Sequence, residues 1–291
     1  MQLPKNKQAT LDNIVNDLQK IKGVIAVVLG GSYAVGAAKE DSDMDIGIYY
    51  SNEDPFDIDD IKTIASKYST GENLTVTGFY EWGPWVNGGA WIQTSSGKID
   101  FIYRSLEQVT NTIKKAKNGE WENHFEQQPP YGFSSVIYLA EIHTCIPLHD
   151  PAKHIAYLKK EVEVYPLKLK EKIISQSLWS AEFAIWHAEY FFSDTNDLYN
   201  IMGCLTRATK NIVTALFALN EIYPLGDKRA IAILEKTSNH PKKLKEKIEN
   251  IFIVNTKTIN QSIQLLKDLF EETVKLSNGF YKAFPFNLKK E

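Results

Sequence analysis

The chain has 291 residues, 43% of them hydrophobic and 24% charged, an ordinary globular composition with length for about two domains. No apolar run of about eighteen residues offers a transmembrane helix, residues 1–22 lack the layout of a secretory signal, and two cysteines, Cys145 and Cys204, exclude a disulfide framework, so a cytoplasmic location is expected. The net charge of −3 hides a split, because residues 1–150 carry 12 Lys and Arg against 20 Asp and Glu, and residues 151–291 carry 21 against 16. An acidic half joined to a basic half suits a cation on one wall and an anion on the other, although charge also drifts between domains without purpose. No basic block is dense enough to track nucleic acid, which is not an expected partner.

Leu11, Ile14, Val15, Leu18 and Ile21 recur at helical spacing, and Gly23 ends that first helix. Val24–Leu29 reads as a buried strand, a Gly-rich loop follows, and Met44–Tyr50 reads as a second strand. Ile58, Ile61, Ile64, Ala65 and Tyr68 give a second helix. Strands are expected over 74–80, 90–94 and 98–103, the last two joined as a hairpin across Ser95-Ser-Gly97. Ser105 with Gln108 forms a capping box that opens the next helix. After about residue 135 the strand signal fades; Pro147, Pro151 and Pro166 punctuate a transition to long helical patterns near 168–192, 198–221, 227–236 and 255–277. The organisation is α/β over 1–150 and all-helical over 151–291, with no internal repeat.

The informative stretch runs from Leu29 to Ile48. Gly30-Gly31-Ser32 follows a strand directly, where glycines let backbone N–H groups approach a phosphate closely. Nine residues separate Ser32 from Ser42-Asp43-Met44-Asp45. Asp43 and Asp45 lie two apart on a strand, so both carboxylates share a face, while Ile46 and Ile48 point into a core. Such carboxylates repel unless a cation lies between them, and hard oxygen ligands suit Mg²⁺. Asp100 is a lone charge in the apolar strand Lys98–Tyr103; it either joins the same metal or pairs with Arg104, and the upstream Asp pair favours the metal.

Gly30-Gly31-Ser32 to Ser42-Asp43-Met44-Asp45, with Asp100, resembles the nucleotidyltransferase superfamily that includes DNA polymerase beta and kanamycin nucleotidyltransferase. The likeness is to its small bacterial branch of antibiotic and minimal nucleotidyltransferases, and by motif it covers roughly residues 20–105. Glu81–Trp91 and Leu216–Tyr223 look like segments of bacterial members with a helical C-terminal domain. The resemblance implies an α+β protein: a nucleotidyltransferase α/β domain with a mixed sheet, then an all-α helical bundle. It implies that Asp43 and Asp45 bridge two Mg²⁺ ions and that Asp100 holds the one nearer the acceptor. Gly30, Gly31, Ser32 and Ser42 would bind the triphosphate of ATP or another NTP, and attack at the α-phosphorus would transfer a nucleoside monophosphate.

Some antibiotic-modifying relatives add a glutamate as general base. Glu81, Glu141 and Glu182 are candidates; each has the alternative of a solvated surface glutamate, and Glu81 is preferred because it follows a strand and precedes a Gly/Trp-rich loop. Trp82, Trp85 and Trp91 offer a flat wall for a sugar or nucleobase, or else pack between domains. His143, Cys145 and His149 match no zinc pattern. Arg207 and Lys228 are the basic residues expected to meet the triphosphate, against the plain reading of solvated side chains. Arg207 has no His in the next ten residues, which departs from the Arg/His pattern of helical ribonuclease partners.

The leading expectation is an Mg²⁺-dependent transfer of AMP from ATP to a hydroxyl of a small molecule, such as an aminoglycoside- or lincosamide-like antibiotic, with release of pyrophosphate. The alternatives are a protein-directed adenylyltransferase and a non-catalytic nucleotide-binding or partner module. The three carboxylates speak against the module, which would have no need of mutually repelling charges.

Overall fold

Alternation of apolar and polar residues builds the sheet on which the site rests. The computed structural model describes residues 3–71 and 74–284. The chain divides into two units, residues 1–115 with 122–164 and residues 116–121 with 165–291.

The first unit runs α1 (Lys5–Leu18), β1 (Ala26–Leu29), the one-turn α2 (Gly31–Ala34), β2 (Met44–Tyr50), α3 (Ile58–Tyr68), β3 (Thr75–Val76), β4 (Gly89–Thr94) and β5 (Gly97–Ser105). There follow α4 (Leu106–Lys117), the short hairpin β6 (Asn123–His124) and β7 (Phe133–Ser134), α5 (Val136–Thr144), β8 (Ile146–His149) and α6 (His154–Glu161). Six strands form one sheet in the order β3-β4-β5-β2-β1-β8. It is mixed, because β2 and β5 run parallel while every other pair is antiparallel.

On one face Met44, Ile46, Ile48 and Tyr50 of β2 and Ile99, Phe101 and Tyr103 of β5 are buried with Leu11, Ile14 and Leu18 of α1 and Ile61 and Ala65 of α3. Burial of such side chains contributes about 1.5–3 kcal/mol each, which fixes the register, since a slip by one residue would turn the whole apolar set to the other face. Asp57 caps α3 by accepting the Asp59 N–H at 2.9 Å. Ser105 accepts the Gln108 N–H at 3.2 Å, but the Gln108 side chain donates to the Pro84 carbonyl instead of returning to the cap, so only half of the expected capping box forms.

The sequence reading did not anticipate the β6–β7 hairpin, α5 or α6, and the first unit takes in α6, beyond the expected boundary near residue 150. The strand expected over 74–80 contracts to Thr75–Val76, because the chain turns through positive φ at Tyr80 and Gly83. β8, unanticipated because it contains Pro147, pairs only with β1 at the sheet edge, where a residue without an N–H is tolerated.

The second unit is helical: α7 (Leu167–His187) continuing as a π-helical turn (Ala188–Phe192), α8 (Leu198–Leu219), α9 (Ala230–Leu234), α10 (Leu244–Ile251) and α11 (Ile259–Leu276). α7 and α8 pack through Leu178, Ala181 and Ile185 and through Leu205, Ala208 and Ile212, all buried. No helix among the described residues is long and apolar enough to cross a membrane.

Candidate functional site

β1 runs antiparallel to β2 with Leu29 opposite Ile46, so the loop after β1 falls beside Asp45. The Gly30 N–H donates to the Asp45 carbonyl at 2.8 Å. Gly31 has φ +58°, and a Cβ there would lie 1.7 Å from Asp45 Oδ2, so the carboxylate rests on bare backbone that no other residue could supply. Gly30 is under no such constraint, as its Cβ would meet only ordinary contacts at 3.7 Å.

Asp45 and Asp100 are directly paired across the parallel strands β2 and β5, about 4.8 Å apart by strand spacing, and both sit on the face opposite the core. Asp43 lies two residues before Asp45, just outside β2. The structure thus brings Gly31, Asp43, Asp45 and Asp100 together. The basic partner of Asp100 is not Arg104, which lies four residues and about 13 Å along an extended strand. It is Lys98, whose ammonium donates to Asp100 Oδ2 at 3.3 Å and to Asp43 Oδ2 at 3.0 Å. The signal was available: Lys98 and Asp100 are two apart on one strand and so share a face.

A second lysine missed by the sequence reading organises the loop. Lys7 of α1 is buried, and its ammonium donates to the Tyr33 hydroxyl (2.8 Å) and to the carbonyls of Glu40 (3.0 Å) and Ser42 (2.8 Å). It ties α2 to the chain entering β2 and so holds the Gly-Gly-Ser loop against Asp43. Ser42 closes the turn there, its hydroxyl accepting the Lys39 N–H at 2.8 Å. Ser32 is half-buried in α2 beside Gly31.

The tryptophans divide. Trp91 of β4 is directly opposite Asp100, hence on the same face; it is 49% exposed and stacks on Trp82 with ring centroids 4.8 Å apart. Trp85 is buried against Phe133 and Tyr138 and is part of the core.

The three glutamates make contacts of their own. Glu141 of α5 makes a bidentate pair with Arg104, both contacts 2.7 Å. Glu182 lies in the second unit, accepting a hydrogen bond from Tyr281. The Glu81 carboxylate lies beside Gly78 and near Tyr103, whose side chain is on the core face of β5. Arg207 donates to the Ser180 hydroxyl at 3.3 Å within the second unit, and Lys228 is exposed in the turn before α9. Burial pushes the Cys145 thiol up to about 11, which disfavours the thiolate a zinc site needs.

Among the described residues no group of three or more His, Cys, Asp or Glu stands close enough to hold a metal as it is. The donor set nonetheless fits one: three carboxylates converge on one face, and a cation, the Lys98 ammonium, already bridges two of them.

Residues 11–82 match the family described as nucleotidyltransferase domain, a span that contains the Gly-Gly-Ser loop, Asp43 and Asp45. A solved structure, a nucleotidyltransferase-like protein from Exiguobacterium sibiricum 255-15, is similar at 7% identity and a TM-score of 0.46, covering 94% of this chain and 78% of that one. No curated protein matches the sequence.

Proposed function

We propose that this chain, whose residues 11–82 match the nucleotidyltransferase domain family, transfers AMP from ATP to a hydroxyl of a small ring-bearing molecule, with pyrophosphate as the leaving group. The observation that carries the reading is the shared face of Asp43, Asp45, Asp100 and Trp91. Asp43, Asp45 and Asp100 are the residues that would hold Mg²⁺, which as one or two ions supplies neutralisation of triphosphate charge and a lowered pKa for the acceptor hydroxyl.

The chain's own groups account for positioning. Gly31 presents backbone to the triphosphate, with the Ser32 hydroxyl beside it. Lys7 keeps this loop fixed relative to Asp43, so a bound nucleotide meets carboxylates already in place. The Trp91–Trp82 stack offers a flat apolar wall next to Asp100, matched to the ring of a sugar-like acceptor. That wall favours a small molecule, with aminoglycoside- and lincosamide-like compounds the class to test, over a protein acceptor. Glu141 is less suited to serve as general base, because both its oxygens accept hydrogen bonds from Arg104.

The test is incubation with labelled ATP and Mg²⁺ against a panel of hydroxylated antibiotics and proteins. Pyrophosphate release that depends on a small acceptor supports the reading, whereas label on polypeptide would move it to a protein acceptor. Asp43→Ala and Asp45→Ala each lower transfer by about a thousandfold or more with the circular dichroism spectrum unchanged. Full activity in either variant would sink the assignment.

A further inference from the structure

Lys98 has a four-carbon stem at the start of β5, close to the hairpin turn, and open solvent is its default destination. It instead folds over its own strand to reach carboxylates from two separate segments, Asp43 ahead of β2 and Asp100 on β5. The side chains of Lys98, Asp43 and Asp100 are 44, 42 and 17% exposed, so water screens the contacts. An ion pair of this exposure is weak and readily exchanged. Three carboxylates gathered without any cation would repel, and the ammonium relieves that repulsion in the protein alone.

We propose that Lys98 is a tethered counter-cation: it holds Asp43 and Asp100 together in the nucleotide-free protein and yields them to a divalent metal more readily when the nucleotide arrives as well. The inference rests on the nucleotidyltransferase reading. A metal alone must displace a cation that is covalently attached and therefore present at high effective concentration. A nucleotide changes both sides of that exchange, because its triphosphate adds oxygen ligands for the metal and offers the displaced ammonium a new anion. Metal and nucleotide therefore bind with positive coupling, and Lys98 adds to the coupling that the shared triphosphate ligands already provide.

The experiment is a Mn²⁺ titration of the full chain, with and without a non-hydrolysable ATP analogue, followed by water-proton relaxation, which separates protein-bound from nucleotide-bound Mn²⁺. The wild-type chain binds Mn²⁺ weakly alone and more tightly with the analogue. Lys98→Met tightens binding of Mn²⁺ alone by about tenfold and shrinks the gain from the analogue, while Lys98→Arg, which keeps the charge, does not tighten binding of Mn²⁺ alone. Lys98→Gln replaces Lys98→Met if the latter loses its native circular dichroism spectrum, and Asp45→Asn confirms that the titrated ion is at the carboxylates. If Mn²⁺ affinity is unchanged or weaker without Lys98 while the wild type still binds Mn²⁺ with the analogue, the lysine proposal fails and the nucleotidyltransferase reading stands. If neither protein binds Mn²⁺ under either condition, both fail.

Discussion

β5 carries two ion pairs on one face, and they are built to opposite ends. At Arg104 the guanidinium is 5% exposed, grips Glu141 through two 2.7 Å contacts, and lies 5.2 Å from the Tyr138 ring centroid. Burial opposes its charge, and Glu141 more than offsets that, so the arginine is held above its ordinary pKa. At Lys98, only six residues earlier, one half-exposed ammonium is shared between two carboxylates at 3.0 and 3.3 Å. The planar fork saturates a single partner in a fixed geometry, whereas the point charge on a flexible stem serves two partners loosely. One strand thus bears a pair that locks α5 to the sheet and a pair that can be exchanged for a ligand.

Removing one partner from each pair separates the two designs. Glu141→Ala leaves a buried guanidinium without its carboxylate and lowers stability by about 3–5 kcal/mol, read as a fall in thermal midpoint. Arg104→Met with Glu141→Leu recovers most of that loss, because the two charges leave together. If Glu141→Ala instead abolished transfer with the midpoint unchanged, Glu141 would be part of the chemistry and the contrast would be wrong. Lys7→Met tests an intermediate case, a lysine that is buried but makes its bonds to a hydroxyl and two carbonyls. It costs about 1–3 kcal/mol through the acceptors left unpaired, and it raises the KM for the nucleotide as the loop before Asp43 loosens. An unchanged KM would show that the loop is held by its backbone alone.

The contrast also explains what could be read from the sequence. β2 and β5 were legible because their apolar residues alternate, and that alternation placed Asp43, Asp45 and Asp100 on the polar side. Gly31 was legible as backbone that must approach something closely, although its neighbour is the Asp45 carboxylate itself. Lys7 and Lys98 were not. A lysine stem can swing its charge over several ångströms, so its position in sequence does not say which oxygens it will reach. Glu81 was hard to place for a related reason: proximity to a strand end does not say on which face a side chain will lie, and the chain turns through positive φ at Tyr80 just before it. The Arg104–Glu141 pair joins a strand to a helix 37 residues later, a contact that no local pattern encodes.

The smallest effect is expected where an ion pair is exposed and joins only helices. Asp17 of α1 accepts from Lys67 Nζ at 2.6 Å and from the Tyr68 hydroxyl at 2.7 Å, both in α3. The Lys67 and Tyr68 hydrogen bonds hold its carboxyl below the usual range, against a smaller opposing effect of burial. A carboxyl lowered by folding contributes stability that is complete above its unfolded pKa and is lost as the pH falls through the folded value. Asp17→Asn therefore lowers stability at neutral pH by about 0.2–1 kcal/mol, and the gap between variant and wild type closes as acid carries the pH through and below the ordinary carboxylate range. Urea melts of the two proteins at neutral and acidic pH measure it. High salt should shrink the same gap at neutral pH, as it should weaken the hold of Lys98 on its carboxylates, while the Arg104–Glu141 contribution is screened less because its guanidinium is buried.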